Sequence, residues 1–216
     1  MNTALPLTSI RAMQLLFAIV WSVATLNSAR ALQIVGCFWI VLAVYWAVSA
    51  LSQKPAKKEE HFVERLRHLV PVMIAFLLLS QPDAGYGRLG LRFVPESGTL
   101  NLCGLVLAGA GVALAVWARW HLGRNWSAVV SIREDHDLIR TGPYRAVRHP
   151  IYTGLLLAIT GTVLIVGEFR ALIAFAIALA SLYLKARKED AWLADEFGET
   201  FEGHAKQTGM FLLRFS

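Results

Sequence analysis

Long apolar runs alternate with short polar stretches along this chain. Residues 12–29, 31–51, 69–80, 99–118, 151–166 and 171–184 are almost free of charge. A helix that crosses a bilayer needs roughly 17–25 mostly apolar residues. The first, second and fourth runs meet that length. Only Arg30 divides the first two, so they read as a tight helical hairpin. The run at 69–80 is short and follows the charged stretch 52–68; it crosses only by recruiting neighbours. The last two runs flank Gly167-Glu168-Phe169-Arg170 and must also borrow residues to cover about 30 Å at about 1.5 Å per residue. The pattern predicts an all-α integral membrane bundle of about six transmembrane helices. No Ser/Gly/Pro-rich linker or internal repeat divides it, so residues 1–216 read as a single membrane domain. Residues 1–118 hold the N-terminal spans. Residues 119–216 hold the last two spans and a tail in which Leu193, Phe197 and Phe201 recur every four positions, an amphipathic helix.

Composition agrees. The chain of 216 residues is 56% hydrophobic and only 17% charged, with a mean hydropathy of +0.51; a soluble domain is about 45–50% apolar and about 25% charged. The net charge is +6, which could signal nucleic acid or basic cytoplasmic loops. The distribution decides for the second. The N-terminus, 52–68, 119–150 and the C-terminal tail together hold 17 Lys and Arg, against four (Arg30, Arg88, Arg92 and Arg170) in the remaining connections. The positive-inside rule then places both termini in the cytoplasm of a multi-pass protein, in the inner membrane if the cell is bacterial. Membrane lipid is the expected surrounding, and no nucleic-acid partner is expected. Arg11, the run after it and Ala29-Arg30-Ala31 also resemble a cleavable signal peptide. Its removal would leave the rest of the topology unchanged. Cys37 and Cys103 lie in apolar stretches, with neither metal-ligand spacing nor a disulfide framework, so no metal site is expected.

Against this background, residues 136–154 stand out: His-Asp-Leu-Ile-Arg-Thr-Gly-Pro-Tyr-Arg-Ala-Val-Arg-His-Pro-Ile-Tyr-Thr-Gly. So many polar and ring-bearing groups at the mouth of a lipid-embedded helix are a functional-site hypothesis by default. Gly142-Pro143 marks a turn that presents Tyr144. Pro150 suits the first turn of a helix, where no backbone N–H is missed. His149 then stands at the helix mouth, with Tyr152 a turn inside. Gly154 lets a backbone or a ligand come close, while Gly104, Gly109 and Gly111 lie inside a span and suit close helix packing. Lys185-Ala186-Arg187-Lys188-Glu189-Asp190 emerges where the sixth run ends. A basic anchor at the interface accounts for Lys188 but not for the adjacent acids. His61, His68, His121 and His204 carry no assigned role.

The string His136–Gly154, followed by Glu189-Asp190 and Phe197-Gly198, resembles the isoprenylcysteine carboxyl methyltransferase family and its wider relatives, which include phospholipid methyltransferases and bacterial methanethiol methyltransferase-like proteins. The similarity is specific over 136–154 and 185–201 and extends only to hydropathy over 1–118. It implies a membrane-embedded enzyme that uses S-adenosylmethionine without a soluble Rossmann-like domain. The cofactor pocket would lie at the cytoplasmic ends of the last two spans. Its cofactor-binding residues would be His136, Asp137, Leu138 and Ile139, then Tyr144, then His149, Pro150, Ile151 and Tyr152, then Glu189 and Asp190. The family's second acid is usually Glu where Asp190 stands. Its substrate-site arginine matches Lys185, with Arg187 nearby, and Lys is a poorer bidentate clamp for a carboxylate.

On that resemblance the reaction is methyl transfer by in-line displacement, in which positioning does most of the work. Arg148, Lys185 or Arg187 would hold an anionic part of a lipophilic or small-molecule acceptor. A carboxylate acceptor needs no base. A thiol or ammonium acceptor must first lose a proton, and His149 titrates in a suitable range. Carboxylate, amine, thiol and phenol all stay open as acceptors, and so does the oligomeric state. A sterol-reductase-type oxidoreductase carries a similar Arg-His-x-x-Tyr-x-Gly string, but with Asn before the Tyr and Asp after the Gly; here Ile151 and Leu155 occupy those places, and Pro follows the His. A non-enzymatic membrane scaffold or channel is the third alternative.

Overall fold

The computed structural model describes residues 25–51, 56–59, 62–81, 87–123, 131–133 and 138–214, with the isolated residues 18, 22 and 23. Among these, six α-helices follow in order: α1 Ser28–Ala50, α2 Phe62–Ser80, α3 Gly98–Leu122, α4 Pro150–Val166, α5 Phe169–Phe197 and α6 Glu199–Gln207. The predicted first span, at 12–29, lies almost wholly outside the described residues. Three helices, α1, α3 and α5, are long and apolar enough to cross a membrane; Leu66–Ser80 within α2, and α4, are shorter apolar helices. The all-helical expectation needs one amendment. Two short polar segments, β1 Ala56–Glu59 and β2 Ser131–Arg133, pair as an antiparallel ribbon, with a register irregularity between Ala56 and Lys58. Both lie in connections outside the apolar runs, where backbone groups with no helix to join still need partners.

Helix boundaries move for identifiable reasons. The expected break at Arg30 falls earlier. Asn27 caps α1, its side chain accepting from the Arg30 backbone N–H at 2.9 Å, so Arg30 rides in the first turn. Helix α2 reaches 19 residues by taking in the charged stretch before it, with Pro71 inside. Helix α5 runs unbroken through Lys185–Asp190 to Phe197. At about 1.5 Å per residue it is about 43 Å long, so its last turns stand clear of the apolar zone and hold the acidic pair rigidly. The Leu193–Phe201 stripe is therefore divided: the chain turns at Gly198, and Phe201 is buried from α6.

The closest helix pair is α3 with α4. Gly104 and Gly111 face Gly161 and Gly154 across an antiparallel seam, where a methyl on Gly154 would come within 2.6 Å of the Gly111 carbonyl oxygen. Ala108, Ala115 and Ala158 fill the seam and are fully buried. Lipid tails provide no hydrophobic drive between helices, so such backbone approach is what holds them. Helix α2 packs on α5, and α1 covers α3.

The two ends of the bundle differ in charge. At one end the Arg92 guanidinium donates to the Val166 carbonyl at 3.0 Å, and Gly167 takes φ +65° where any Cβ would strike that guanidinium. Arg170, fully buried, pairs with Glu168 at 2.5 Å and donates to the Leu78 carbonyl. Asn101 donates to the Leu26 carbonyl at 2.9 Å, and Glu96 accepts from the Ser28 backbone at 3.0 Å. Thus Arg30, Arg92 and Arg170, three of the four minority cations, gather here. At the other end, Arg119 donates to the Ser49 carbonyl at 2.8 Å and to Gly123 at 2.7 Å, Lys188 pairs with Glu64 at 2.5 Å, and the polar block enters α4.

Candidate active site

The polar block folds as a turn followed by a helix start. Gly142 adopts φ +57° and lies against the His121 ring, 2.7 Å from where a Cβ would stand. That lets Gly142–Arg145 form a 3₁₀ turn with Pro143 in its first turn. Tyr144 is buried in this turn, its hydroxyl donating to the Ala118 carbonyl at 3.4 Å and its ring stacked on His121 with centroids 6.4 Å apart. Burial, reinforced by the nearby Glu189 charge, pushes the Tyr144 phenol well above its ordinary range. The chain then extends to His149, which occupies the N-cap position of α4, with Pro150 in the first turn.

Here α4 and α5 bring the densest chemistry together. The His149 ring lies parallel to the Tyr152 ring, 5.4 Å between centroids and 8° between planes. Glu189 and Asp190 meet that stacked pair from α5. Tyr152 donates its hydroxyl proton to Glu189 Oε1 at 2.6 Å. His149 Nε2 lies 2.8 Å from Asp190 Oδ1, and His149 Nδ1 lies 3.4 Å from Glu189 Oε2. Arg148 Nε holds the other Asp190 oxygen at 3.2 Å. Its terminal nitrogen donates to the carbonyls of Ala205 at 3.1 Å and Thr208 at 2.5 Å. Lys185, one turn before Glu189, stands with Nζ 5.6 Å from the Tyr152 ring centroid.

Two carboxylates on one imidazole fix its charge. Burial alone would lower the His149 midpoint, but the hydrogen bonds and charges of Asp190 and Glu189 outweigh it and raise the midpoint to about 9. The folded value therefore lies above the ordinary 6.5. The stability that the charged ring contributes is complete below about pH 6.5 and is lost as pH rises through about 9. Thermal unfolding in detergent is expected to show wild type losing stability over this window relative to His149→Gln. Parallel pH profiles for the two proteins would contradict the assignment.

The predicted residues fall into three groups. Arg148, His149, Tyr152, Lys185, Glu189 and Asp190 converge as described. Ile139, Tyr144 and Ile151 pack with Tyr152, Ala118 and Trp46 in the adjoining apolar cluster, beside Pro150, which is fully buried; Leu138 is half-buried. Arg187 is not brought to the carboxylates. It is exposed and donates to the Tyr183 hydroxyl at 3.2 Å on the outer face of α5. His136 and Asp137 lie outside the described residues.

The segment that contributes most of these groups also carries a family signature. Residues 102–195 match the model of the isoprenylcysteine carboxyl methyltransferase (ICMT) family. The match covers 94 of the 216 residues and marks this segment as similar to that family. The chain is 36% identical over 114 residues to the cobalt-zinc-cadmium resistance protein CzcN of Cupriavidus metallidurans, a match covering 52% of this chain and 50% of that one. It is 31% identical over 88 residues to the protein-S-isoprenylcysteine O-methyltransferase of Schizosaccharomyces pombe, covering 39% of this chain and 37% of that one. The chain thus spans about half the length, or less, of these relatives. The structure of a eukaryotic intramembrane Ras methyltransferase ICMT aligns over 71% of this chain and 53% of that one, at 21% identity and a TM-score of 0.46.

Sequence reasoning missed two contributors. His121, given no role, is the surface on which the Tyr144 turn is built, its Nε2 2.9 Å from Thr141 Oγ1. Phe211 sits with its ring edge-on to both His149 and Tyr152, at 6.2 and 6.5 Å. Nothing in the local pattern of an apolar C-terminal tail distinguishes Phe211 from its neighbours; the signal is purely tertiary.

Proposed function

We propose that this protein is an integral-membrane, S-adenosylmethionine-dependent methyltransferase acting on a lipophilic or small-molecule acceptor, with both termini and the site in the cytoplasm and about six spans in all. The observation that carries the reading is the stacked His149–Tyr152 pair bonded to the adjacent carboxylates Glu189 and Asp190, inside the family segment. The side of the bundle that holds this cluster is also the side to which the charge asymmetry assigns the cytoplasm.

The donor set fits the cofactor's chemistry. Two carboxylates suit a sulfonium and an ammonium group, and stacked rings beside an apolar cluster suit a purine. When bound, the cofactor supplies an electrophilic methyl group. Glu189, Asp190, His149 and Tyr152 would hold its polar groups, and Tyr144, Ile139 and Ile151, with Leu138, His136 and Asp137, would line the remainder. Tyr152 fixes the Glu189 orientation, while Arg148 fixes that of Asp190.

The same geometry bears on the acceptor. Both His149 ring nitrogens face carboxylates, and the raised midpoint keeps the ring charged at neutral pH. It is thus poorly placed to take a proton from an incoming nucleophile, the role its ordinary titration range had suggested. The arrangement favours an acceptor that arrives ionised, a carboxylate above all; the Schizosaccharomyces pombe relative is named as an O-methyltransferase. Lys185, rather than the outward Arg187, is the cation placed to meet it. Lys185→Ala is expected to raise the acceptor KM about tenfold, a loss of about 1.4 kcal/mol, with Arg187→Ala near wild type; equal effects would remove the assignment. The function itself is tested by incubating purified protein with methyl-labelled cofactor and a lipid extract. Transfer of label to an extractable product supports the reading. No transfer, together with no S-adenosylhomocysteine binding by calorimetry in lipid, would sink it.

A further inference from the structure

The segment after α6 is built into the cluster rather than left as a tail. Val147 and Gly209 form a parallel bridge. The Arg148 backbone N–H donates to the Gly209 carbonyl at 2.9 Å, and that of His149 to the Met210 carbonyl at 3.1 Å. Thr153 Oγ1 donates to the Phe211 carbonyl at 2.8 Å. Thr208 caps the turn behind, its hydroxyl donating to the His204 carbonyl at 2.7 Å. Every bond in this register ends on the stretch 147–153 or on α6, so residues 208–211 run as one more strand of chain along the polar block.

We propose that Phe211 is a positioning residue for the site. The docked segment sets its ring steeply across both the His149 and Tyr152 rings, at interplanar angles of 69° and 76°, the T-shaped arrangement that aromatic rings prefer. His149 and Tyr152 are held at their polar atoms by Asp190 and Glu189; Phe211 packs its ring against both. Without it the stacked pair can tilt, and the two carboxylates lose the donors that set their directions. Phe211 is half-buried while the next two residues, Leu212 and Leu213, are 79% and 57% exposed. The inward position is therefore particular to this ring and not a property of the apolar tail. Arg148 couples the same segment to Asp190 by gripping Thr208 and Ala205 with one nitrogen and the carboxylate with another.

The proposal rests on the methyltransferase reading only for its ligand, and the test separates the two. Full-length protein labelled with carbon-13 at histidine is compared in detergent as wild type, Phe211→Ala, Phe211→Leu, Phe211→Tyr and Leu212→Ala. One sharp His149 ring signal is expected in wild type, Phe211→Tyr and Leu212→Ala, with shifted and broadened signals in Phe211→Ala and Phe211→Leu. An unchanged His149 signal in Phe211→Ala overturns the proposal, as does failure of the tyrosine variant to restore it. The ligand arm uses S-adenosylhomocysteine. An affinity loss of about tenfold in Phe211→Ala and Phe211→Leu, rescued in Phe211→Tyr, supports positioning. Equal binding by all variants counts against it. Absence of binding by wild type strikes the functional reading alone and leaves the ring signals to judge Phe211.

Discussion

Glu189→Ala is expected to lower methyl transfer about 100-fold or more while the protein still inserts and folds. The carboxylate is half-buried and serves two partners, accepting from Tyr152 at 2.6 Å and facing His149 Nδ1 at 3.4 Å. Removing it leaves the half-buried Tyr152 hydroxyl short of one acceptor and a charged imidazole short of one counter-ion. Losing one member of this partly buried network releases the geometry of the others, and each 1.4 kcal/mol lost at the reacting geometry is about tenfold in rate. His149→Ala should cost as much, because it frees both carboxylates at once. The double variant should be little worse than either single one, since residues acting as a unit are not additive. Glu189→Gln keeps an acceptor for Tyr152 but loses the charge, and should fall between. The measurement is transfer of labelled methyl, with helix content and detergent monodispersity as controls. Retained activity in both Glu189→Ala and His149→Ala would take these residues out of the site.

The sequence made part of this arrangement legible. Pro150 in the first turn of α4 follows from its missing N–H and fixed φ, which also sets His149 at the cap and Tyr152 close behind it. The acidic pair is placed at that helix mouth by the family resemblance alone, since a basic anchor at the interface leaves Glu189 and Asp190 unexplained. Other features depended on distant parts of the chain. That α5 carries Glu189 and Asp190 without a break could not be read from hydropathy, which falls at Lys185 although helical propensity does not. Arg148 reads as a substrate anchor by its charge; that its guanidinium also ties Asp190 to Ala205 and Thr208, 57 and 60 positions beyond Arg148, is visible only in the fold. Phe211 is 62 positions from His149, a separation over which no periodicity speaks. The ribbon of β1 and β2 escaped notice for the same reason: its strands pair across two intervening helices, α2 and α3.

The partition of charge between the two ends joins fold to chemistry. Arg92 and Arg170 clasp the α4–α5 turn through backbone carbonyls and Glu168. Since α4 and α5 leave this clasp side by side, the spacing of His149 and Glu189 at the far end is set by helix packing, not by loops. A site made of side chains on two helices is only as precise as their seam.

Gly161→Leu is accordingly expected to prevent folding altogether, with no monodisperse protein recovered from membranes. Even a methyl at Gly161 would stand 2.5 Å from the Ala108 backbone nitrogen, and one at Gly104 would stand 2.7 Å from the Gly161 carbonyl. The neighbouring atoms are helix backbone and cannot swing aside. Overpacking a core typically costs about 1–3 kcal/mol when side chains can yield, and here the two helices must separate. Gly111→Leu and Gly154→Leu, at the other half of the seam, should act alike. A milder Gly154→Ala should leave a folded but less stable protein whose methyl transfer falls more than its helix content, because the displaced α4 carries His149 and Tyr152 away from α5. Gly36→Ala in α1 is the control: nothing lies within 4 Å of its added carbon, and alanine should stabilise that helix by about 0.5–1 kcal/mol. Thermal unfolding in detergent distinguishes these outcomes. If Gly161→Leu proves as stable as wild type, α3 and α4 do not meet at these glycines.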